Sequence, residues 1–216
     1  MISTLNGVIM KTKEKILLSS IELFNRSGVV AITTNHIAKE LNISPGNLYF
    51  HFANKEEIIR HIFKIMCKDT YNLWKTKPGH KLVHPLELIE KNFELFWRYR
   101  FFHREMYYLR RKDAQLSKMW KDHLQKVLRL MTLAYKRWIK AGWMAPIKSA
   151  DEMNFLVNIL LATASTFLQF FESSEKQPAR KHVESGKKYV ARLLIHYTQG
   201  DMKKDFENYI TSSSTK

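Results

Sequence analysis

The chain has 216 residues, 45% of them apolar and 26% charged, with one cysteine and a formal net charge of +16. That length and apolar share suit one domain or two lobes with a real core, and a single cysteine, Cys67, excludes an intramolecular disulfide and fits a reducing cytoplasm. No secretory leader is visible, and the most apolar run, 155–171, is broken by Asn158, Thr163, Ser165, Thr166 and Gln169, short of the about 20 apolar residues that a membrane span needs.

The basic balance suggests a polyanionic partner. Residues 1–60 hold seven Lys/Arg against five Asp/Glu, and the remainder holds 29 against 15. Two readings stay open at this point: long-range steering towards nucleic acid, or a solvated basic surface.

Residues 1–11 show no periodicity and are expected to form a loose arm. Lys13 to Ser27 reads as a helix with Ile16, Leu17, Ser20, Ile21 and Phe24 on one stripe, ended by Gly28. The stretch Thr33–Lys55 then reads as two short helices around a tight turn, running into a third. Thr33 or Thr34 caps the first, and Ile37, Ala38 and Leu41 form its apolar face. Asn42 breaks the pattern and Ile43 tucks inward. Ser44 caps a second helix whose first residue is Pro45, where a missing N–H costs nothing. Leu48 and Phe52 face the core, leaving Pro45, Gly46, Asn47, Tyr49, Phe50 and His51 outside. This is a helix-turn-helix with an outer face of small, polar and aromatic groups.

Asn54 caps a long helix to about Lys75, with Glu56 and Glu57 at the positive end of its dipole. Its inner side is Ile58, Ile59, Ile62, Phe63 and Met66. Residues 76–85, with Pro78, Gly79 and Pro85, form the clearest break. His80 and His84 stand four apart there without a neighbouring cysteine or acidic ligand, so no metal site is expected. Leu86 to Phe101 reads as helical and overlaps an aromatic, basic run, WRYRFFHREMYYLRR. Asp113 to Ala141 is a long amphipathic helix closed by Gly142. Ser149 to Glu152 is a capping box opening a helix to Glu172 that is apolar nearly all round. After a turn at SSEKQP, Ala179 to Tyr197 is the last main helix, DMKKDFENYI adds a short turn, and the tail frays. With no strand-like alternation, the expected fold is all-α, with about nine helices.

Residues 28–57, and above all TTNHIAKELNISPGNLYFHFANK, resemble the DNA-binding segment of TetR-family (tetracycline-repressor-like) regulators. The likeness is dense over residues 12–60. The Tyr-Arg-Phe-Phe segment at 99–102 is more loosely similar to a subgroup that carries an SPGNLY reading helix. The resemblance implies a DNA-binding domain at 1–54 with its motif at 33–52, a connecting helix at 55–75, and an effector-binding and dimerisation domain at 76–216. It further implies a cytoplasmic homodimeric repressor on a near-palindromic double-stranded operator, released by a small apolar or aromatic effector. Carried over by position, Thr33, Thr34 and Asn35 point to the DNA backbone, and Ser44 and Lys55 sit at helix N-termini that favour phosphate. Pro45, Gly46 and Asn47 neighbour base edges, while Tyr49 and His51 reach flanking phosphates. The family often has a polar or basic residue where Pro45 stands, and Phe50 is an unusual exposed apolar residue. Base readout is therefore expected from Asn47 and apolar contact with thymine methyls.

In the C-terminal body, Trp97, Phe101, Tyr107, Tyr108, Trp120, Met131, Tyr135 and Trp138 line an effector cavity or form plain core. A helix apolar all round must be buried on all sides. Helix 149–172 with Leu156, Leu160, Phe167 and Phe171, and helix 179–197 with Val190 and Leu194, are thus expected to pair with a second copy as a four-helix bundle. A DNA-bound adaptor that recognises a protein is the alternative. An enzyme is not expected, since no nucleophile elbow, P-loop, zinc spacing or carboxylate pair is present and Ser165 lacks flanking glycine. No cofactor is expected.

Overall fold

The computed structural model describes residues 4–5, 8–9, 11–75, 82–172 and 180–212, at 4–5, 8–9, 168, 169, 171 and 172 by backbone alone. The expected turn at 173–178 and most of the expected break at 76–85 lie outside the described residues. Two short strands, β1 (Thr4–Leu5) and β2 (Val8–Ile9), pair antiparallel where a loose arm was expected. Then come α1 (Thr12–Ser27), α2 (Thr34–Glu40), α3 (Pro45–His51), α4 (Lys55–Trp74), α5 (Pro85–Arg98), α6 (Arg100–Lys112), α7 (Ala114–Lys140), α8 (Ala150–Glu172), α9 (Arg180–Leu194) and α10 (Gly200–Thr211). Ten helices stand among the described residues in place of about nine.

The chain divides into two compact units, Met1–Lys68 with Arg98–Lys118, and Asp69–Trp97 with Met119–Lys216. The first is larger than the N-terminal segment 1–54 because α6 packs into it. Phe101, Phe102, Met106 and Leu109 are buried along with Ile16 and Phe24 of α1, Ile37 of α2, Leu48 of α3 and Phe63 of α4. The Phe101 ring lies 5.3 Å from that of Phe24 and 4.2 Å from that of Phe102.

Asn25 explains why helix 86–101 ends early. Its amide Nδ2 donates to Arg98 O at 2.9 Å, and its Oδ1 accepts Phe101 N–H at 3.1 Å. One side chain thus meets a carbonyl at the end of α5 and an amide at the start of α6, groups that a helix terminus otherwise leaves unmet. Arg104 caps the other end of the exchange, donating to Phe24 O at 2.9 Å near the end of α1.

The second unit is built on Leu88, Ile89 and Phe93 of α5, Met131, Tyr135 and Trp138 of α7, the inner stripes of α8 and α9, and Met202 and Phe206 of α10. The last pair, four residues apart and buried, turns the expected short turn into a helix of 12 residues. Gly142, at φ 74°, ends α7 as its position suggested. At α8, Ser149 Oγ accepts Glu152 N–H at 3.1 Å, but the Glu152 carboxylate takes Lys148 N–H, one residue before the expected box partner.

Lys187 is buried on α9 and reaches Glu90 at 2.5 Å, Glu184 at 2.8 Å and Glu94 at 3.7 Å. Burial pulls its pKa down, but the carboxylates of Glu184 and Glu90 outweigh it, and the net direction is up. Immediately before it stands Gly186, inside a helix where glycine costs about 1 kcal/mol relative to alanine. A Cβ there would stand 2.4 Å from Phe93 Cε1 and 2.7 Å from Phe167 Cδ1. Gly186→Ala is therefore expected to destabilise by up to about 2 kcal/mol in urea unfolding, because overpacking of about 1–3 kcal/mol is offset only in part by a helix gain of about 1 kcal/mol. A more stable variant would show that the two rings give way freely.

Candidate nucleic-acid interface

Thr33 is the cap of α2: its Oγ1 accepts His36 N–H at 3.3 Å, while His36 Nδ1 accepts Thr33 N–H at 3.3 Å. Histidine here fills the place that Glu or Gln takes in the usual reciprocal cap. Thr34 has a different task. Its hydroxyl meets the Tyr49 hydroxyl at 2.9 Å and ties α2 to α3. Between the helices Asn42 takes φ 53°, the left-handed conformation that Asn tolerates better than most residues, and Ile43 N–H returns to Ala38 O at 3.0 Å. Ser44 Oγ accepts Asn47 N–H at 3.1 Å and opens α3 with Pro45 at its first position.

Leu48 and Phe52 face inward, fully buried. Asn35, Ser44, Pro45, Gly46, Asn47, Tyr49 and Phe50 are exposed, and His51 is half-buried with its ring edge-on to Phe50 at 5.2 Å. A Cβ added at Gly46 would meet nothing nearer than Ser44 Oγ at 3.9 Å, so the chain's own packing does not demand a glycine there.

Lys55 is engaged within the chain. Its ammonium donates to Val29 O and Ile32 O, both at 2.8 Å, and so fixes the loop that leads into α2. The other face of that loop is held by the Glu105 carboxylate, which accepts Val29 N–H at 3.0 and 3.1 Å. Neither tie has a local sequence signal, since Glu105 is 76 residues from Val29. The unit containing the motif also carries more charge than the count over residues 1–60 implied. With 98–118 included it holds 16 Lys/Arg against seven Asp/Glu.

The eight expected pocket residues do not meet in one place. Met131, Tyr135 and Trp138 line a narrow cavity of the second unit together with Trp74, Asn92 and Phe93. The space open to the centre of a water-sized sphere is about 40 Å³, room for a few water-sized groups. Phe101 belongs to the core of the first unit, and Tyr107 and Tyr108 are exposed on α6, with Arg111 donating to the Tyr107 hydroxyl at 3.1 Å. Trp97 lies under the Arg180 guanidinium at 5.7 Å, and Trp120 packs beside His123 at 5.9 Å.

Of the expected dimer contacts, Leu156, Leu160, Phe167, Val190 and Leu194 are buried within the single chain; the Phe171 side chain lies outside the described residues. What α8 leaves in the open is a stripe of Phe155, Ile159, Ala162, Thr166 and Phe170, with Tyr189 exposed on α9. Of the histidine pair, His80 lies outside the described residues, and His84 faces Asp205 at 3.4 Å. Among the described residues no helix is long and apolar enough to cross a membrane.

A capped helix-turn-helix with an open, uncharged outer face, set in a basic and largely helical unit, is the architecture of a DNA-binding transcriptional regulator. A family model described as "Bacterial regulatory proteins, tetR family" matches residues 16–62, and one described as "Bacterial transcriptional repressor" matches residues 72–206. The chain belongs to the TetR family, whose members are regulators and not enzymes. The crystal structure of a TetR-family transcriptional regulator from Marinobacter aquaeolei VT8 is similar at 31% identity and a TM-score of 0.81, over 93% of this chain and 99% of that one. The transcriptional regulator QacR of Staphylococcus aureus is 41% identical over 66 residues, 31% of this chain and only 35% of QacR. A complex of SmeT, repressor of a Stenotrophomonas maltophilia multidrug efflux pump, with triclosan shares the fold at 18% identity and a TM-score of 0.59, over 88% of this chain and 93% of that one.

Proposed function

We propose that the chain is a homodimeric repressor that reads a near-palindromic operator with α3 and lets go of it when a small apolar or aromatic effector binds. The observation that carries the reading is the open face of α3, where Gly46 and Asn47 stand clear of the chain's own packing. Asn47 can pair bidentately with adenine in the major groove, with Pro45 and Gly46 close to base edges. Thr33, Thr34, Asn35, Ser44, Tyr49 and His51 flank it as phosphate partners. Lys55 acts by holding the loop in place. The SPGNLY helix and the Tyr-Arg-Phe-Phe segment support a place in the subgroup that carries similar segments.

The second copy docks on the face of α8 where Phe155, Ile159 and Ala162 stand exposed at helical spacing. Two-fold pairing there should set the two α3 helices about 34–36 Å apart, one turn of the duplex, or a multiple of that distance. The effector enters the narrow cavity of the second unit, as the complex of SmeT with triclosan suggests for an effector site in this fold. Since about 40 Å³ is open, an effector of ordinary size has to widen it. That narrowness favours a second reading, an adaptor whose C-terminal body recognises a protein. Calorimetry of apolar ligands with and without operator separates the two, because an effector that releases DNA must itself bind more weakly when DNA is present.

Selection of duplexes from a random pool, followed by titration, tests the DNA reading. An inverted repeat should be enriched. Gly46→Ala should leave unfolding unchanged or gain up to about 1 kcal/mol of helix stability, yet bind the selected duplex at least tenfold more weakly. A pool without enrichment overturns the reading.

A further inference from the structure

The ring of Phe50 is 86% exposed, the most exposed large apolar side chain among the described residues. Its place on α3 is fixed by the helix itself. At about 100° per residue it stands some 200° round from Leu48, on the side opposite the core. It is therefore the crest of the reading face, with Gly46 one turn before it and Asn47 beside it. A long helical side chain leans back over the residue four positions earlier, and here that residue is glycine. The one aromatic neighbour of the ring among the described residues is His51, edge-on at 5.2 Å. Nothing in the fold uses this ring: it is not buried, and phenylalanine is a middling helix former.

An A·T pair shows two things in the major groove that this face matches side by side. Adenine offers N6–H and N7 for an amide, and thymine offers its C5-methyl group for an apolar surface. We infer that Phe50 is a specificity residue, packing its ring on a thymine methyl in each half-site next to the adenine taken by Asn47. The inference rests on the DNA-binding reading above and adds the base chemistry to it.

The test uses the full chain and the duplex that it selects from a random pool. Each thymine is replaced in turn by deoxyuridine, which lacks only the methyl group. One position per half-site should respond, by about fourfold for one site and about fifteenfold for both, the worth of one buried methyl-sized group. Phe50→Ala should bind the parent duplex more weakly and show no response at that position, while Phe50→Leu should keep part of it. Both variants should melt with the wild type, since the ring supports nothing. A wild-type chain indifferent to every methyl group overturns the inference, as does a Phe50→Ala chain that responds at the same position. Neither result touches the DNA-binding reading, which falls only if no duplex is enriched, and the inference falls with it.

Discussion

Glutamate at both Phe155 and Ile159 is expected to give folded monomers whose operator affinity is lower by about a hundred- to ten-thousandfold, the range that joining two binding modules supplies. Both side chains face solvent in the single chain, so the new carboxylates stay hydrated and the fold has no reason to suffer. In a pair of chains joined along α8 the same charges would be buried without partners, which is strongly unfavourable. The neighbouring residue gives the control. Leu160 is buried, so Leu160→Glu should unfold the chain outright. Adjacent positions on one helix should thus give opposite results, monomers in sedimentation for one and loss of circular dichroism for the other. A double variant that sediments as a dimer would place the interface elsewhere.

Acid should destabilise the second unit through His123. Burial, and then the nearby charge of Lys126, push its pKa down from 6.5 to about 4. Its Nδ1 lies 3.1 Å from the Tyr71 hydroxyl. Below pH about 6.5 the unfolded chain takes up a proton that the folded chain refuses, so stability is full above that value and falls as pH drops towards 4. The difference amounts to about 3 kcal/mol at the bottom of the window. Urea titrations at pH 7 and pH 4.5 measure it, and His123→Gln should remove most of the His-linked part while leaving the general carboxylate contribution. Equal pH dependence in the two chains would mean that His123 is protonated in the fold.

Most of the helices were legible because apolar residues at a spacing of 3.6 leave a periodic trace, and the motif was legible because caps and turn residues act over three or four positions. Most of the differences arise where one helix acts on another. Helix 86–101 looked continuous, and it stops at Arg98 because Asn25, 73 residues away, supplies its partner. Helix 149–172 looked apolar all round, so its inner stripe was assigned to a second copy. In the fold α9 is joined by α5, whose Phe93 ring meets that of Phe167 at 6.4 Å, and together they cover that stripe. Phe101 looked like a pocket residue because aromatic composition carries no address. The arm at 1–11 lacked periodicity since two-residue strands are too short to show any. Phe50 was visible as an oddity opposite Leu48, and the structure adds that its ring is 86% exposed.

The peptide of Val29 is gripped at both edges, its N–H by Glu105 and its carbonyl by Lys55. That grip bears on how the reader could be transplanted. A chimera made by grafting residues 12–60 onto a foreign body would carry the motif but leave Glu105, Arg104 and the groups bonded to Asn25 behind. The Val29 N–H would lose its acceptor, a loss of about 1–3 kcal/mol if no water replaces it, at the loop that sets the angle of α2. The portable module is discontinuous: α1 to α3, the start of α4, and α6 from a distant part of the chain. Swapping operators between relatives by exchanging their N-terminal segments therefore calls for carrying α6 along.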